Sequence, residues 1–121
     1  MYESGEDYLE TILMLQQQNG FVRSVDVANK LEVSRPSVSR AMAILEKEGY
    51  IEFSLGNMLK LTEKGLSKAN EVFARHKLLT QFFQKITGLS EEQCEKNACR
   101  VEHQIDSELA EGIKEWMSKN G

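Results

Sequence analysis

The longest apolar runs in the chain are four or five residues. That is far short of the ~20 needed to cross a bilayer, so no membrane span is expected. Met1 is followed by acidic residues rather than by a basic patch and an apolar stretch. No secretory leader is expected, and the cytosol is the expected compartment. Repeats and low-complexity tracts are missing and the only proline is Pro36, which excludes a repeat array or a proline-rich linker. The two cysteines, Cys94 and Cys99, are too few for a disulfide-stapled scaffold. In a reducing compartment they read as free thiols or metal ligands, and on a common helix they would point in different directions.

The remaining composition is ordinary for a globular chain: 121 residues, 40% hydrophobic and 28% charged. That length suits one compact domain, or two small ones sharing a core. The net charge of −4 argues weakly against nucleic-acid binding, but it is unevenly spread. Residues 21–68 carry eight Lys/Arg against six Asp/Glu, and the rest carry seven against thirteen. A mildly basic module is joined to an acidic one, an asymmetry that suits a DNA reader.

Hydrophobic spacing predicts a helix over residues 4–18, with Ser4 as N-cap, Leu9, Ile12 and Leu13 as its stripe, and Asn19-Gly20 as its end. A short helix over 24–31 follows, capped by Ser24 and burying Val25, Ala28 and Leu31. Ser34 caps a third helix through about Glu48, with Pro36 in the first turn and Val38, Met42 and Leu45 facing inward. Residues 50–53 and 58–61 alternate around Leu55-Gly56-Asn57, a hairpin signal. A long helix then runs to about Thr87, a short one covers 90–96, and a last one covers 98–118. The expected fold is mainly α: an N-terminal winged helix-turn-helix with a two-stranded β-hairpin wing, then an all-helical domain. The expected domains are 1–64 and 65–121.

In that order of elements the third helix is the recognition helix, offering its N-terminal residues to the major groove of double-stranded DNA. Ser34, Arg35, Pro36, Ser37, Ser39 and Arg40 lie on that stretch, and Lys60 on the wing. Arginine forks onto guanine edges or pairs with phosphate, and serine hydroxyls reach phosphates or bases. Ser34 can equally be only a cap, and the arginines only a solvated helix face.

A second constellation needs another explanation. Asp7 and Glu10, three apart, share a helix face; they can ligate a metal or simply complement the helix dipole. His76 falls on the apolar stripe of the long helix, as a core histidine or a ligand. Cys99, Glu102 and His103 stand at i, i+3 and i+4, with Glu95 a turn earlier and Asp106 continuing the stripe. A thiolate, a carboxylate and an imidazole within an arc of about 100° favour a transition ion. No spare general base, nucleophile or substrate pocket is evident, so no enzyme is expected, and no organic cofactor.

Four segments together resemble the DtxR/MntR family of metal-dependent repressors: Glu6-Asp7-Tyr8-Leu9-Glu10, Val33 through Ser39, Arg75-His76-Lys77-Leu78-Leu79, and Ala98-Cys99-Arg100-Val101-Glu102-His103. The resemblance covers nearly the whole chain, and the chain's end after the helical half matches the short type without an SH3-like third domain. It implies a homodimer whose helical half dimerises, and which binds an operator when its co-repressor metal is abundant. It also implies Asp7, Glu10, His76, Glu102 and His103 as manganese-type ligands. Cys99 departs from that type, which has glutamate there, and matches the iron type. Asp7 departs from the iron type, which has methionine. The expected co-repressor is therefore Mn²⁺ or Fe²⁺, with Zn²⁺ or Co²⁺ able to bind in vitro, and four anionic ligands make two ions per chain plausible by charge. The alternative from the residues alone is a metal-independent winged-helix regulator whose acidic half binds a small molecule or a protein.

Overall fold

A computed structural model describes residues 3–121, with side chains from Gly5 onward. It contains α1 (Glu3–Asn19), α2 (Ser24–Leu31), α3 (Arg35–Lys47), β1 (Ile51–Ser54), β2 (Met58–Leu61), α4 (Glu63–Thr87), α5 (Glu91–Val101) and α6 (Ser107–Asn120). The chain divides into two compact units, one ending at Asn70 and the other starting at Glu71, so the boundary falls inside α4.

The first unit is the three-helix and hairpin module. Leu9, Ile12 and Leu13 of α1, Val27 and Ala28 of α2, and Val38, Met42 and Leu45 of α3 form one core with Ile51, Leu59 and Leu61 of the hairpin. Burying side chains of this size stabilises by about 1.5–3 kcal/mol each, which is what holds three short helices together. β1 and β2 pair antiparallel, Ile51 opposite Leu61 and Phe53 opposite Leu59, so Ile51, Leu59 and Leu61 meet the core from one face, where Phe53 at the outer end stays exposed, and Glu52 and Lys60 share the other. The turn between the strands needs left-handed backbone at two successive residues, Gly56 (φ 73°) and Asn57 (φ 59°), residue types that tolerate it.

The start of α4 is locked onto this module. Thr62 Oγ1 accepts from Gly65 N–H at 3.1 Å and donates to the Gly49 carbonyl at 2.6 Å. Lys64 Nζ donates to the Glu48 carbonyl at 2.9 Å and lies 4.2 Å from the centre of the Tyr50 ring. Lys68 and Glu6 pair at 3.4 Å, both largely buried. Gly65 is required by close approach: a Cβ there would stand 1.9 Å from the Tyr50 carbonyl oxygen.

The second unit holds the rest of α4 with α5 and α6. Leu79, Cys94 and Ala98 are buried in it, and Trp116 of α6 meets Phe82 of α4 edge-on at 5.6 Å. No described helix is long and apolar enough to cross a membrane.

Several boundaries differ from the expected ones. Helix α1 begins at Glu3, before Ser4, whose side chain lies outside the described residues. Ser24 is the first residue of α2 rather than its cap: Arg23 caps it, its N–H donating to the Asp26 carboxylate at 2.9 Å. Asp26, three residues on, reaches back as the acid of a capping box does. Within α2 the core residues are Val27 and Ala28, while Val25 and Leu31 are half-buried. The largest difference is at the C-terminal end. Instead of a break near residue 97, α5 runs unbroken from Glu91 to Val101. The chain turns over residues 102–105, and Asp106 caps α6, its Oδ1 accepting from Leu109 N–H at 2.8 Å. Asp106 was expected to extend the metal-facing stripe, but its carboxylate serves the new helix. A short acid able to cap outweighs continuation of the helix through Ile105.

Candidate metal centre and nucleic-acid interface

In the second unit the centre is Glu102. It completes the last turn of α5, with helical backbone angles (φ −56°, ψ −28°) and its N–H bonded to the Ala98 carbonyl at 2.8 Å. Its side chain is fully buried. Two imidazoles flank the carboxylate: His76 Nδ1 lies 2.7 Å from Oε2 and His103 Nε2 lies 3.2 Å from Oε1. Helical spacing foresaw Glu102 and His103 on a continuing helix; instead the turn after Val101 carries them, and α4 supplies His76 from across the unit.

The other nitrogen of His76 faces Glu95, Nε2 to Oε1 at 3.5 Å. Glu95 lies on α5 with Cys94 and Cys99; Cys94 is buried and Cys99 is exposed. Arg75, next to His76 on α4, donates from Nη1 to the Glu102 backbone carbonyl at 3.1 Å. Nothing in the spacing of the sequence could single out that contact, because it joins a side chain to a backbone atom 27 residues away.

Glu102 Oε1 accepts no hydrogen bond among the described residues, its 3.2 Å approach to His103 Nε2 being a contact by distance alone. A buried, ionised carboxylate with an unsatisfied oxygen is costly unless a cation or donor meets it. The guanidinium of Arg75 meets the backbone carbonyl of Glu102 and the Glu71 carboxylate. A carboxylate with one imidazole at each oxygen therefore fits a divalent ion, both by charge and by donor type. In the first unit, Asp7 and Glu10 stand three residues apart on α1, both half-buried.

The other candidate surface lies on α3 and the wing. Ser34 caps α3, its Oγ accepting from Ser37 N–H at 3.2 Å and donating to Ser37 Oγ at 2.8 Å. Arg40 approaches the same Ser37 hydroxyl at 3.5 Å. Arg35, Pro36, Ser39 and Arg40 are exposed and Ser37 is half-buried. Lys60 is exposed on the wing, 3.9 Å from Glu52. Between α3, the start of α2 and the wing is a cleft of about 420 Å³, with Arg23, Ser24, Ser39, Phe53 and Asn57 among its walls. Arg23, outside the recognition helix and without a signal in the sequence, places its guanidinium at the wing turn, 3.6 Å from where a Cβ on Gly56 would be.

Three helices and a hairpin wing with a polar, arginine-bearing third helix define a winged helix-turn-helix protein, here continued by a helical domain with a buried carboxylate flanked by two imidazoles. Residues 1–55 match the N-terminal DNA-binding domain of the iron-dependent repressors, and residues 62–120 match the metal-binding and dimerisation domain of the same group. The chain belongs to the DtxR/MntR iron-dependent repressor family, whose members are transcriptional repressors rather than enzymes. It is 31% identical over 120 residues to an uncharacterised HTH-type transcriptional regulator of Methanocaldococcus jannaschii, covering 98% of this chain and 96% of that one. It is 36% identical over 110 residues to the HTH-type transcriptional regulator MntR of Shouchella clausii, covering 91% and 76%. Among solved structures, IdeR of T. acidophilum superposes with a TM-score of 0.83 at 25% identity, over 93% of this chain and 53% of that one. The chain thus spans about half the length of that solved relative and nearly all of the M. jannaschii one. It is a metal-dependent transcriptional regulator with a divalent-metal-binding domain.

Proposed function

We propose that this protein is a cytosolic repressor of metal-homeostasis genes that binds its operator as a homodimer when Mn²⁺ or Fe²⁺ is abundant. The observation that carries the metal half of the reading is the fully buried Glu102, flanked by His76 and His103 and left with an unsatisfied oxygen. The proposed ligands are Asp7 and Glu10 from α1 and His76, Cys99, Glu102 and His103 from the metal-binding domain. The family resemblance supports the pairing of the two sets. Bound metal neutralises the carboxylates and ties α1 to the dimerisation domain, which fixes the spacing of two recognition helices against half-sites one DNA turn apart. A shift of ~3 kcal/mol in that equilibrium changes operator occupancy roughly a hundredfold.

The proposed DNA contacts are Ser34, Arg35, Pro36, Ser37, Ser39 and Arg40, with Lys60 on the wing. The first four sit at the N-terminal end of α3, the part of a recognition helix that meets base edges. Arg40 and Lys60 suit phosphates. Because Ser34 is already committed to capping, its substitution mixes a folding effect with a binding effect. Substituting Arg40 is the cleaner test. Arg40→Gln is expected to weaken operator binding and, if it holds a phosphate, to lower the salt slope by about one. An unchanged affinity and slope would remove Arg40 from the interface.

Metal choice turns on Cys99. Carboxylates and imidazoles suit Mn²⁺ and Fe²⁺, and a thiolate adds preference for Fe²⁺, Zn²⁺ or Co²⁺. Cys99→Glu is expected to move the ranking of ions toward Mn²⁺. The same ranking of Mn²⁺, Fe²⁺ and Zn²⁺ in both proteins would show that the thiol is not a ligand.

A further inference from the structure

We propose that Arg75 is a positioning residue of the metal centre, which holds the backbone of Glu102 so that its carboxylate and the next imidazole face the ion. The proposal rests on the metal-sensing reading above and adds to it a residue that is not a ligand.

Helix α5 stops at Val101, so the carbonyl of Glu102 lies beyond the regular ladder, where helix-end carbonyls need another donor. Arg75 Nη1 supplies it at 3.1 Å, from a side chain only 13% exposed. His76, the next residue on α4, holds the carboxylate of the same Glu102 at 2.7 Å. Two successive residues of one helix thus grip Glu102 at both ends, by its carbonyl and by its carboxylate. His103 follows immediately, so the peptide that Arg75 holds is the one joining two candidate ligands. A charge-assisted donor is stronger than a neutral one, and here it meets the first carbonyl of the turn over residues 102–105.

The sign of the effect is not trivial. A guanidinium near a cation site repels the ion, and deleting it would tighten binding on Coulombic grounds alone. The repulsion is muted here, because Nη2 of Arg75 stands 3.6 Å from the Glu71 carboxylate. The orienting effect therefore wins, and loss of the arginine weakens the site. Removing a group that orients a metal ligand typically costs about 10–100-fold in affinity.

The experiment is anaerobic calorimetric titration of the full-length chain with Mn²⁺, and with Co²⁺ while its visible absorption is recorded. Arg75→Met is expected to weaken Mn²⁺ binding by about tenfold or more and to alter the Co²⁺ spectrum. Affinity equal to or tighter than wild type, with an unchanged spectrum, would overturn the proposal. Should the methionine variant not fold, Arg75→Lys decides alone. Its single donor nitrogen, without the guanidinium fork and on a shorter reach, is expected to weaken binding a few-fold and shift the spectrum, and wild-type values for both would overturn the proposal. Glu102→Gln in parallel separates the two levels. If it too binds Mn²⁺ like wild type, the metal-sensing reading fails; if it loses the metal and Arg75→Met does not, only the role of Arg75 fails.

Discussion

Single side chains divide here by whether their chemistry serves the fold or the ligand. Glu102 is the sharpest case. A core position that excludes water accepts an ionised carboxylate only when something neutralises it, and one oxygen of this one still accepts no hydrogen bond. Glu102→Gln keeps the shape and removes the charge, so it is expected to cost roughly a hundredfold or more in metal affinity, beyond what an orienting residue costs. Its effect on the metal-free fold should be neutral or mildly stabilising, because a buried charge is gone. Calorimetric titration and urea unfolding of the metal-free variant check the two halves. Gly65 is the opposite case, with no ligand to serve. Glycine to alanine within a helix ordinarily gains about 1 kcal/mol. Here the new Cβ would meet the Tyr50 carbonyl oxygen at 1.9 Å, and forced backbone displacement costs up to about 3 kcal/mol. The net expectation for Gly65→Ala is a loss of about 2 kcal/mol in urea unfolding.

At the scale of elements, capping decides where helices begin and end, and the site depends on those ends. Ser34 and Asp106 each accept a backbone N–H three residues on. Replacing either with alanine is expected to destabilise the fold by about 1 kcal/mol, measured as a lower urea midpoint at constant slope. Asp106→Ala should also weaken metal binding, because it loosens the turn that presents Glu102 and His103; an unchanged metal affinity would show that α5 alone sets that turn.

Capping also explains what the sequence made legible. The recognition helix was readable because a cap, a proline in the first turn and an apolar stripe agree on its start and register. The hairpin was readable because two alternating segments flank Gly56 and Asn57. The break between α5 and α6 was not. Residues 98–118 keep helical apolar spacing across Ile105, and only the capping geometry of Asp106, seen once the chain is folded, splits them. Spacing brought Glu102 and His103 together for a reason that proved partial, since a turn rather than a helix carries His103. His76 was open between core and ligand in the sequence, because its partner lies 26 residues away; the 2.7 Å contact with Glu102 is what ties it to the centre. Arg75 stood in a segment that carries the family resemblance, but its contact had no signal because the partner is a backbone carbonyl; Arg23 had none because its place beside the wing depends on the hairpin's turn.

For the whole molecule, one continuous helix, α4, runs from the DNA-binding module into the metal-binding and dimerisation domain. In the proposed function, DNA affinity depends on the metal. The direct measurement is fluorescence anisotropy of a labelled duplex from the region upstream of the protein's own gene, titrated anaerobically at one fixed salt concentration, with EDTA and then with Mn²⁺, Fe²⁺ or Zn²⁺. Binding that is weak in EDTA and about a hundredfold tighter with Mn²⁺ or Fe²⁺ is the predicted result. Tight, specific binding that is the same in EDTA and in every metal would contradict it, and would favour a regulator whose acidic half answers to something other than a metal.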